Sequence, residues 1–317
     1  MRAAVVGAGA WGTAFARVLA ARGHDVTLAA RDPEQAREIE ATGRNPRYLP
    51  TVELDGVSAT VVGDPALAGA DLHVIAVPSR AFAEVVRALP GAAPVLSLTK
   101  GLDPESGGRL SKLVERRGFA VLSGPNFAEE IGDGLPAAAV IASEDARLAE
   151  ELQQAVNSLA FRVYVNEDLV GVELCAAAKN VIALAAGGVD GLGLGDNAKA
   201  ALIARGLAEM ARLGEACGAR AETFSGLAGM GDLIVTCWSR LGRNRHAGEL
   251  IAQGASPDEA AAQIGTVEGL TTAPVLRELS HRVGVELPIT EGVCQVLDGQ
   301  DLYELAGNLM GRQPTRE

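Results

Sequence analysis

The stretch that decides the fold lies at the start of the chain, where residues 3–12 read Ala-Ala-Val-Val-Gly-Ala-Gly-Ala-Trp-Gly. A short apolar run leads into glycines and then into a helical pattern, which is the context that a dinucleotide-binding βαβ unit requires. In such a unit Gly7 permits the tight turn, Gly9 lets a pyrophosphate approach the backbone, and Gly12 lets the helix pack on the sheet. The stretch therefore predicts a Rossmann-type nucleotide site, although a glycine-rich turn without a ligand shares the pattern.

The rest of the first half repeats this alternation of strand and helix. Short apolar stretches at 25–30 and 119–123 are separated by helical ones, which predicts a doubly wound parallel sheet. From about Glu167 the pattern changes to long helical stretches rich in Ala and Leu, the first of them at 169–186. The sequence thus predicts an α/β Rossmann-type domain at residues 1–166, followed by an all-α domain at 167–317.

Composition excludes several classes of function. The chain has 317 residues and a formal net charge of −12, whereas general nucleic-acid binders need a basic face. Its four cysteines form no CxxC pair and its four histidines lack metal-ligand spacing, so no metal site is predicted. No apolar run reaches the roughly 18 residues of a membrane span. We therefore expect a cytoplasmic protein with reduced thiols and no membrane span.

The end of the second predicted strand indicates the cofactor. A protein dedicated to NAD usually carries Asp or Glu there, which bonds the ribose 2′-hydroxyl. Here Arg31 follows the strand and can hold the 2′-phosphate of NADP or stack on the adenine, so NADPH is favoured and NADH stays open. A solvated surface arginine is the alternative interpretation. Asp32 is expected to cap the next helix, with Pro33 at its first position and Gln35 in the capping-box position.

Two lysines are candidates for chemistry. Only four lysines occur among the 28 basic residues; Lys100 follows a predicted strand, and Lys179 lies in a small apolar helical stretch. A desolvated lysine can lose its proton and an arginine effectively cannot, although chance placement on the surface is the alternative for both. Glu173 lies six residues before Lys179 and so on a different helix face. The glycine-flanked Asp232 is therefore the predicted partner of Lys179.

A third cationic feature lies downstream. Residues 242–245 read Gly-Arg-Asn-Arg, which places two guanidinium groups around an amide. Guanidinium groups bind phosphate through paired hydrogen bonds, so this stretch suits a phosphate on a small substrate. A polar helix start is the alternative.

Several motifs along the chain carry a resemblance to a known family. They lie at 7–14, 99–101, 123–128, 178–181, 195–202, 229–233, 243–245 and 267–269. Together and in this order they resemble the bacterial NAD(P)-dependent glycerol-3-phosphate dehydrogenases, and the resemblance runs nearly end to end.

The resemblance implies roles for individual positions. Lys179 matches the catalytic lysine that transfers the proton, with Asp232 and Lys100 beside it. Cofactor contacts are implied at Gly7, Gly9, Ala10, Trp11, Gly12, Arg31, Lys100, Ala128, Arg243, Thr266 and Glu268. Substrate contacts are implied at Lys100, Gly124, Asn126, Lys179, Asp232, Gly242, Arg243 and Asn244. Asn126 and Gly242 stand where bacterial members usually carry hydroxyl residues, so an amide or backbone donor would have to serve there.

The resemblance also implies a reaction. A homodimer would reduce dihydroxyacetone phosphate to sn-glycerol 3-phosphate with NADPH or NADH, in support of glycerophospholipid synthesis. Reductases of the 3-hydroxyacid or 6-phosphogluconate dehydrogenase type are one alternative, because they share the two-domain plan and a helix lysine but act on carboxylates. A non-catalytic nicotinamide-binding sensor is another, and it would need neither Lys179 nor Asp232.

Overall fold

The protein is described by a computed structural model over residues 1–302, so residues 303–317 of the predicted all-α domain lie outside the described part. Within that part the strands β1–β10 lie at Arg2–Val6, Asp25–Ala30, Arg44–Asn45, Leu49–Glu53, Val57–Val61, Leu72–Ile75, Val95–Ser97, Phe119–Ser123, Ala137–Ala142 and Phe161–Asn166. The helices α1–α13 lie at Ala10–Ala21, Pro33–Thr42, Ser79–Ala88, Ala128–Gly132, Ala146–Val156, Leu169–Gly191, Gly195–Ala216, Ala221–Ser225, Asp232–Trp238, Arg243–Ala252, Pro257–Ile264, Glu268–Val283 and Pro288–Leu297. Two 3-10 turns at Pro65–Gly69 and Leu110–Leu113 and a π-turn at Leu227–Gly231 complete the order.

The first half is built on one eight-stranded sheet in the order β10-β9-β8-β7-β6-β1-β2-β5. All neighbours run parallel except β8 and β9, which pair antiparallel. The prediction of a wholly parallel sheet is therefore wrong at this one place. A parallel crossover needs a helix long enough to carry the chain back along the sheet, and the connection from β8 to β9 contains only the five-residue α4.

The order of the strands creates a crevice beside β1. The chain leaves β1 toward β2 and β5 on one side and then crosses to β6 on the other. Connections that depart in opposite directions leave a gap at the carboxyl ends of the two central strands, and this is where open α/β sheets bind nucleotides. The glycine loop after β1 and residues 77–79 after β6 border that gap.

The second half is assembled around α6. This 23-residue helix is packed against α7, α9, α10 and α12, and it crosses α10 at close range through glycines. A Cβ on Gly187 would lie 1.8 Å from the Arg245 carbonyl oxygen, and one on Gly248 would lie 1.9 Å from that of Leu184. Small residues on both helices therefore set how closely their backbones approach.

The same helix corrects the expectation that no segment could span a membrane. Leu169–Gly191 is long and apolar enough to cross one, with a mean hydropathy of 1.7 over its most apolar window. Yet 89% of that window is buried inside the protein, as expected of a core helix. Glu173 and Lys179 interrupt the apolar run, so the segment is apolar on average but contains no unbroken apolar stretch of about 18 residues.

The architecture confirms the predicted Rossmann-type α/β half followed by a helical half. β10 ends at Asn166 and α6 begins at Leu169, so the sheet gives way to helices between these two residues. That each half is an independent domain stays a prediction.

Candidate active site

The glycine loop has a backbone that only glycine can supply. Gly7 has φ +115°, and a Cβ there would lie 2.4 Å from the Ala76 carbonyl oxygen. A Cβ on Gly12 would lie 1.9 Å from the Gly7 carbonyl oxygen, so the first turn of α1 could not approach the loop with any side chain at that position. Gly9 is the N-cap of α1, and within residues 1–302 no side chain caps the free N–H groups of its first turn. They remain available to an anion.

Two buried amide side chains hold this loop, and the sequence analysis did not identify either as a site residue. Gln35 Nε2 donates to the Ala8 carbonyl oxygen at 2.8 Å, and Asn45 Nδ2 donates to the same oxygen at 2.9 Å and to Thr13 Oγ1 at 2.7 Å. The predicted capping box at Gln35 is therefore wrong, although Asp32 does cap α2 by accepting from the Glu34 N–H at 2.9 Å. No periodic pattern announces Asn45, which lies in the two-residue β3.

The side chains around the loop suit a dinucleotide. Trp11 packs edge-on against Phe15, and its buried Nε1 has no hydrogen-bond partner among the described residues. Arg31 follows β2, is exposed, and forms no hydrogen bond or ion pair within residues 1–302. The exposed Arg31 is therefore free to donate to a ligand, whereas the indole Nε1 of Trp11 is enclosed by protein atoms. Ala10 and Ala128 are the first residues of α1 and α4, where a small side chain leaves room.

Glu268 connects the helical half to the crevice. It is the first residue of α12, and its Oε2 accepts from Ser79 Oγ at 2.8 Å, at the start of α3. Burial raises the pKa of the Glu268 carboxyl above its usual range, against the effect of the Ser79 donors. Thr266 is half-buried two residues earlier, in the loop before α12. The structure thus places Glu268 beside the segment after β6 that borders the glycine loop, with Thr266 two residues before it in the chain.

The chemical centre is a carboxylate held between two ammonium groups. Asp232 is 1% exposed; its Oδ1 lies 2.5 Å from Lys179 Nζ, and its Oδ2 lies 2.8 Å from Lys100 Nζ. Lys179 also donates to Thr236 Oγ1 at 2.9 Å. The expected pairing of Lys179 with Asp232 is present, and Glu173 indeed points elsewhere. Thr236, one turn after Asp232, was missed because nothing near it in the sequence distinguishes it from other helical threonines.

Three distant segments bring these groups together. Lys100 follows β7 and precedes Gly101, whose φ of +147° turns the chain sharply. Lys179 occupies the middle of the buried α6. Asp232 begins α9, a helix that was not predicted from the sequence, directly after the glycine-containing π-turn. Packing against α6 overrides the weak helical signal of this short stretch, which is rich in β-branched residues.

The electrostatics of the centre favour proton exchange near neutral pH. Burial lowers the pKa of the Lys179 ammonium to about 7; the nearby Asp232 carboxylate opposes this shift and the positive charge of Lys100 adds to it. Burial would raise the pKa of Asp232, but the two lysines outweigh it and keep that pKa below its usual value. Asp232 therefore stays ionised while Lys179 is poised between its two protonation states.

The loop after β8 faces the same centre. Gly124 has φ +144°, and its carbonyl oxygen accepts from Lys100 Nζ at 3.2 Å. Asn126 Nδ2 donates to the Ala138 carbonyl oxygen at 3.0 Å, whereas its buried Oδ1 has no partner in residues 1–302. A buried polar atom without a partner is uncommon, and here it lies two residues from the contact with Lys100.

The start of α10 carries the remaining candidates, and their side chains differ in environment. Arg243 is exposed and forms no hydrogen bond with the described residues. Asn244 is buried; its Nδ2 donates to Asn180 Oδ1 at 2.9 Å and its Oδ1 accepts from the Gly269 N–H at 2.8 Å. Because Asn180 follows Lys179, Asn244 joins α10 and α12 to the helix that bears the lysine. A Cβ on Gly242 would lie 2.6 Å from the Thr236 carbonyl oxygen, which leaves no space for serine.

Arg245 does not share the environment of Arg243. Its Nη1 lies 2.6 Å from Asp190 Oδ2 and 3.1 Å from Glu249 Oε2, and Asp190 also pairs with Lys199 at 2.7 Å. The expectation that two guanidinium groups flank a phosphate is therefore wrong for Arg245, because acidic side chains already neutralise it. Of the two arginines, Arg243 alone forms no hydrogen bond or ion pair within residues 1–302, and its charge acts on the nearby Glu268 carboxyl.

The described residues offer no ligand set for a metal ion. Within residues 1–302, no group of three or more His, Cys, Asp or Glu side chains is arranged to hold a metal ion. The polar atoms of the centre are instead ammonium, carboxylate and hydroxyl groups. A glycine-loop crevice with a buried lysine–carboxylate pair beside it is the arrangement of a two-domain nicotinamide-dependent dehydrogenase.

Comparison with known proteins narrows this class. Residues 2–149 match the N-terminal domain, and residues 168–306 the C-terminal domain, of the family described as NAD-dependent glycerol-3-phosphate dehydrogenase. The chain is 47% identical to the glycerol-3-phosphate dehydrogenase [NAD(P)+] of Moorella thermoacetica, over 99% of this chain and 97% of that one. It is 48% identical to the enzyme of that name from Halorhodospira halophila, over 99% and 98% of the two chains.

A solved structure gives the same result. The crystal structure of glycerol-3-phosphate dehydrogenase from Coxiella burnetii superposes with a TM-score of 0.94 at 38% identity, over 98% of this chain and 99% of that one. The chain belongs to the NAD-dependent glycerol-3-phosphate dehydrogenase family, which confirms the resemblance drawn from the sequence.

Proposed function

We propose that this protein is an NAD(P)-dependent glycerol-3-phosphate dehydrogenase that reduces dihydroxyacetone phosphate to sn-glycerol 3-phosphate. The observation that carries the proposal is the Lys179–Asp232–Lys100 centre, which is assembled from both halves of a chain that belongs to this family. A protein that only senses a nicotinamide would have no use for a buried lysine whose pKa is near neutrality.

The glycine loop and its surroundings would hold the cofactor. The backbone N–H groups at the start of α1 would bind the pyrophosphate, with Trp11 and Ala128 beside it. Arg31 stands where proteins dedicated to NAD carry Asp or Glu, and it forms no hydrogen bond or ion pair within residues 1–302. Both observations favour NADPH over NADH. Thr266, Glu268 and Arg243 would complete the site from the helical half. When bound, the reduced nicotinamide supplies the hydride.

Lys179 would handle the proton. As the ketone carbon is reduced, negative charge develops on the carbonyl oxygen, and the ammonium at Lys179 Nζ would stabilise that charge and donate its proton to it. Asp232 and Thr236 orient Nζ through their hydrogen bonds. Lys100 adds a second positive charge on the other side of Asp232 and would contact the substrate.

The substrate phosphate would bind at the start of α10. Arg243 offers a free guanidinium there, and Gly242 brings the backbone close to α9. Asn244 would support this end of the site, with one of its two amide hydrogens still available beside Asn180. The unpartnered Oδ1 of Asn126 would accept from a substrate hydroxyl on the side of Gly124.

Further aspects of the function follow from family membership and stay proposals. We propose a cytoplasmic homodimer that supplies sn-glycerol 3-phosphate for glycerophospholipids. Sedimentation equilibrium would test the dimer, since a single species of 32.6 kDa would contradict it.

The decisive experiment follows the oxidation of NADPH by its absorbance. Dihydroxyacetone phosphate should support turnover, NADH should support it less well, and the 3-oxo acids that correspond to 3-hydroxyacid substrates should not support it. Turnover that depends on a carboxylate and not on a phosphate would favour a reductase of the 3-hydroxyacid type. Binding of NADPH without turnover of any of these substrates would favour a sensor.

A further inference from the structure

The segment that carries Lys100 is tied to the helical half. We call residues 100–111 the lysine strap. Inside the strap, Leu102 and Arg109 pair as an isolated antiparallel bridge, and the Asp103 N–H donates to the Gly108 carbonyl oxygen at 2.9 Å. Leu102 is buried within the apolar core of the helical half. Leu110, near the other end of the strap, is buried with side chains of the sheet half, so the strap connects the two halves.

A single buried carboxylate makes the main polar attachment. Glu173 Oε2 accepts from Arg109 Nη1 at 2.9 Å and from Ser111 Oγ at 2.7 Å, while Oε1 accepts from the Ser111 N–H at 2.8 Å. A second contact joins Arg282 on α12 to the Gly107 carbonyl oxygen at 2.8 Å, but Arg282 is exposed. Glu173 is 4% exposed; burial raises the pKa of its carboxyl, and the bonds from Ser111 and Arg109, which are shielded from water, oppose that rise.

Glu173 and Lys179 belong to the same helix, and this gives the attachment a consequence for the site. We propose that Glu173 is a positioning residue that fixes the Lys100 ammonium against Asp232 by anchoring the lysine strap to α6. Glu173 holds Arg109, and Arg109 pairs through the β-bridge with Leu102, which is two residues from Lys100. The positions of both lysines beside Asp232 therefore depend on α6: Lys179 is part of this helix, and Lys100 is held to it through Glu173. This inference rests on the proposed function and names a further residue for it.

The inference predicts a shift in the pH profile as well as a loss of rate. The charged groups that face Lys179 are Asp232 from α9 and Lys100 from the strap. The thiols of Cys175 and Cys237 are neutral there because burial raises their pKa, that of Cys237 to about 12. Repulsion by Lys100 lowers the pKa of Lys179, so a loosened strap raises it. Reduction needs protonated Lys179, and its rate should therefore decline at a higher pH in a loosened variant than in the wild type.

Glu209→Gln is a matched control for Glu173→Gln. Glu209 on α7 is also a buried glutamate, 3% exposed, and accepts from the Ile289 N–H at 2.6 Å and the Thr290 N–H at 3.4 Å. Both substitutions put an amide NH2 where the native carboxylate accepts, so both should lower the melting temperature. Only Glu173 touches the lysine strap.

The experiment measures kcat for dihydroxyacetone phosphate from pH 6 to pH 9 and the NADPH dissociation constant, below the melting temperature of every variant. Glu173→Gln should lower kcat about tenfold or more, since a displaced charge at the reacting atoms costs up to about a hundredfold. The decline of kcat on the alkaline side of the pH profile should move to higher pH, while the NADPH dissociation constant stays within about twofold of the wild-type value. Glu209→Gln should change neither kcat nor the pH of this decline.

The inference would be overturned if both glutamine variants changed kcat and the pH of its alkaline decline equally. It would also be overturned if Glu173→Gln had the kcat and pH profile of the wild type. If Glu173→Gln does not fold, Ser111→Ala decides, because it removes only one donor to Glu173: a smaller loss of kcat with the same shift of the alkaline decline supports the role, and wild-type behaviour refutes it. Absence of turnover in the wild type would instead contradict the proposed function itself.

Discussion

The glycine-loop crevice and the Lys179–Asp232–Lys100 centre are built in different ways. The crevice owes its shape to backbone, with Gly7, Gly9 and Gly12 within six residues of one another. The centre owes its chemistry to side chains, since Lys100, Lys179 and Asp232 are up to 132 residues apart and meet only in the folded chain. One binding surface is therefore encoded locally, and the other depends on the packing of α6, α9 and the lysine strap.

This difference predicts how each region fails. A change in the crevice should weaken cofactor binding and leave the chemistry of bound substrate intact. A change in the centre should slow the chemistry and leave cofactor binding intact. Variants that separate the two effects sharpen the contrast, and variants that lose both at once would break it.

Lys179→Met should have the largest effect. It keeps the length of the side chain and removes the charge and the proton, and loss of general acid catalysis alone costs about 10²–10⁴ in rate. Loss of the charge that stabilises the developing alkoxide adds to this. Asp232 keeps its bond to Lys100 in the variant, so the carboxylate does not become a buried charge without a partner.

Turnover should therefore fall at least about a hundredfold while NADPH binding, measured by fluorescence titration, changes little. Lys112→Met is the control, because Lys112 is an exposed lysine outside the centre and should keep wild-type turnover. Near-normal turnover of Lys179→Met would refute its role as the acid and make Lys100 the next candidate.

A pair of alanine substitutions probes the crevice with the next largest effect. A Cβ on Gly12 would collide with the Gly7 carbonyl oxygen, whereas a Cβ on Gly9 meets no atom within 4 Å. Gly12→Ala should therefore lower both the melting temperature and the affinity for NADPH, with an overpacking cost of about 1–3 kcal/mol. Gly9→Ala should weaken NADPH binding alone, because its methyl group stands where the pyrophosphate must approach.

Thermal melts and NADPH titrations of the two variants distinguish these outcomes. Equal affinity of the Gly9→Ala protein and the wild type would show that the pyrophosphate does not approach the loop there, and the cofactor site would have to be moved. A Gly12→Ala protein with unchanged stability would show that α1 can shift at no cost.

The contrast between the regions also explains how far the sequence could predict the molecule. The glycine loop and strands such as β2 and β8 follow from local pattern, and their bounds agree with the structure. The antiparallel pair of β3 and β4 could not be predicted from local pattern, because β3 has only two residues and β4 contains Pro50, which argues against a strand. Asn45 could not be found as a support of the loop for the same reason.

In the helical half, the sequence indicated individual groups better than their surroundings. Lys179 was found by the scarcity of lysine, and Asp232 by its flanking glycines. Thr236 and Glu173 were not found as site residues, since their importance comes from partners far away in the sequence. The sequence alone does not distinguish Arg243 from Arg245. The structure does, because Asp190 pairs with the guanidinium of Arg245 and not with that of Arg243.

Arg243→Lys tests that separation and should have a moderate effect. The substitution keeps the positive charge and removes the planar fork that binds two phosphate oxygens at once. A lost charge-assisted contact is worth about 1.5–3 kcal/mol, and because Arg243 is exposed we expect the lower end, roughly a tenfold rise in KM for dihydroxyacetone phosphate. The NADPH dissociation constant, measured alongside, should rise less. Unchanged kinetics would place the phosphate elsewhere.

Arg31→Ala should have the smallest effect, and it bears on the choice between the two cofactors. Arg31 is exposed and forms no bond within residues 1–302, so its removal leaves the described fold unperturbed and any effect must come from the ligand. NADPH and NADH differ only in the 2′-phosphate, so the ratio of their KM values isolates contacts to that group. Salt screens an exposed charge pair, which limits the loss to about 1 kcal/mol, or roughly fivefold in KM for NADPH, with KM for NADH unchanged. The fivefold difference should shrink as ionic strength rises, because screening weakens the native contact while the alanine variant has none to lose. Equal losses with both cofactors would instead indicate that Arg31 stacks on the adenine, which the two share, and the preference for NADPH would then have to come from another residue.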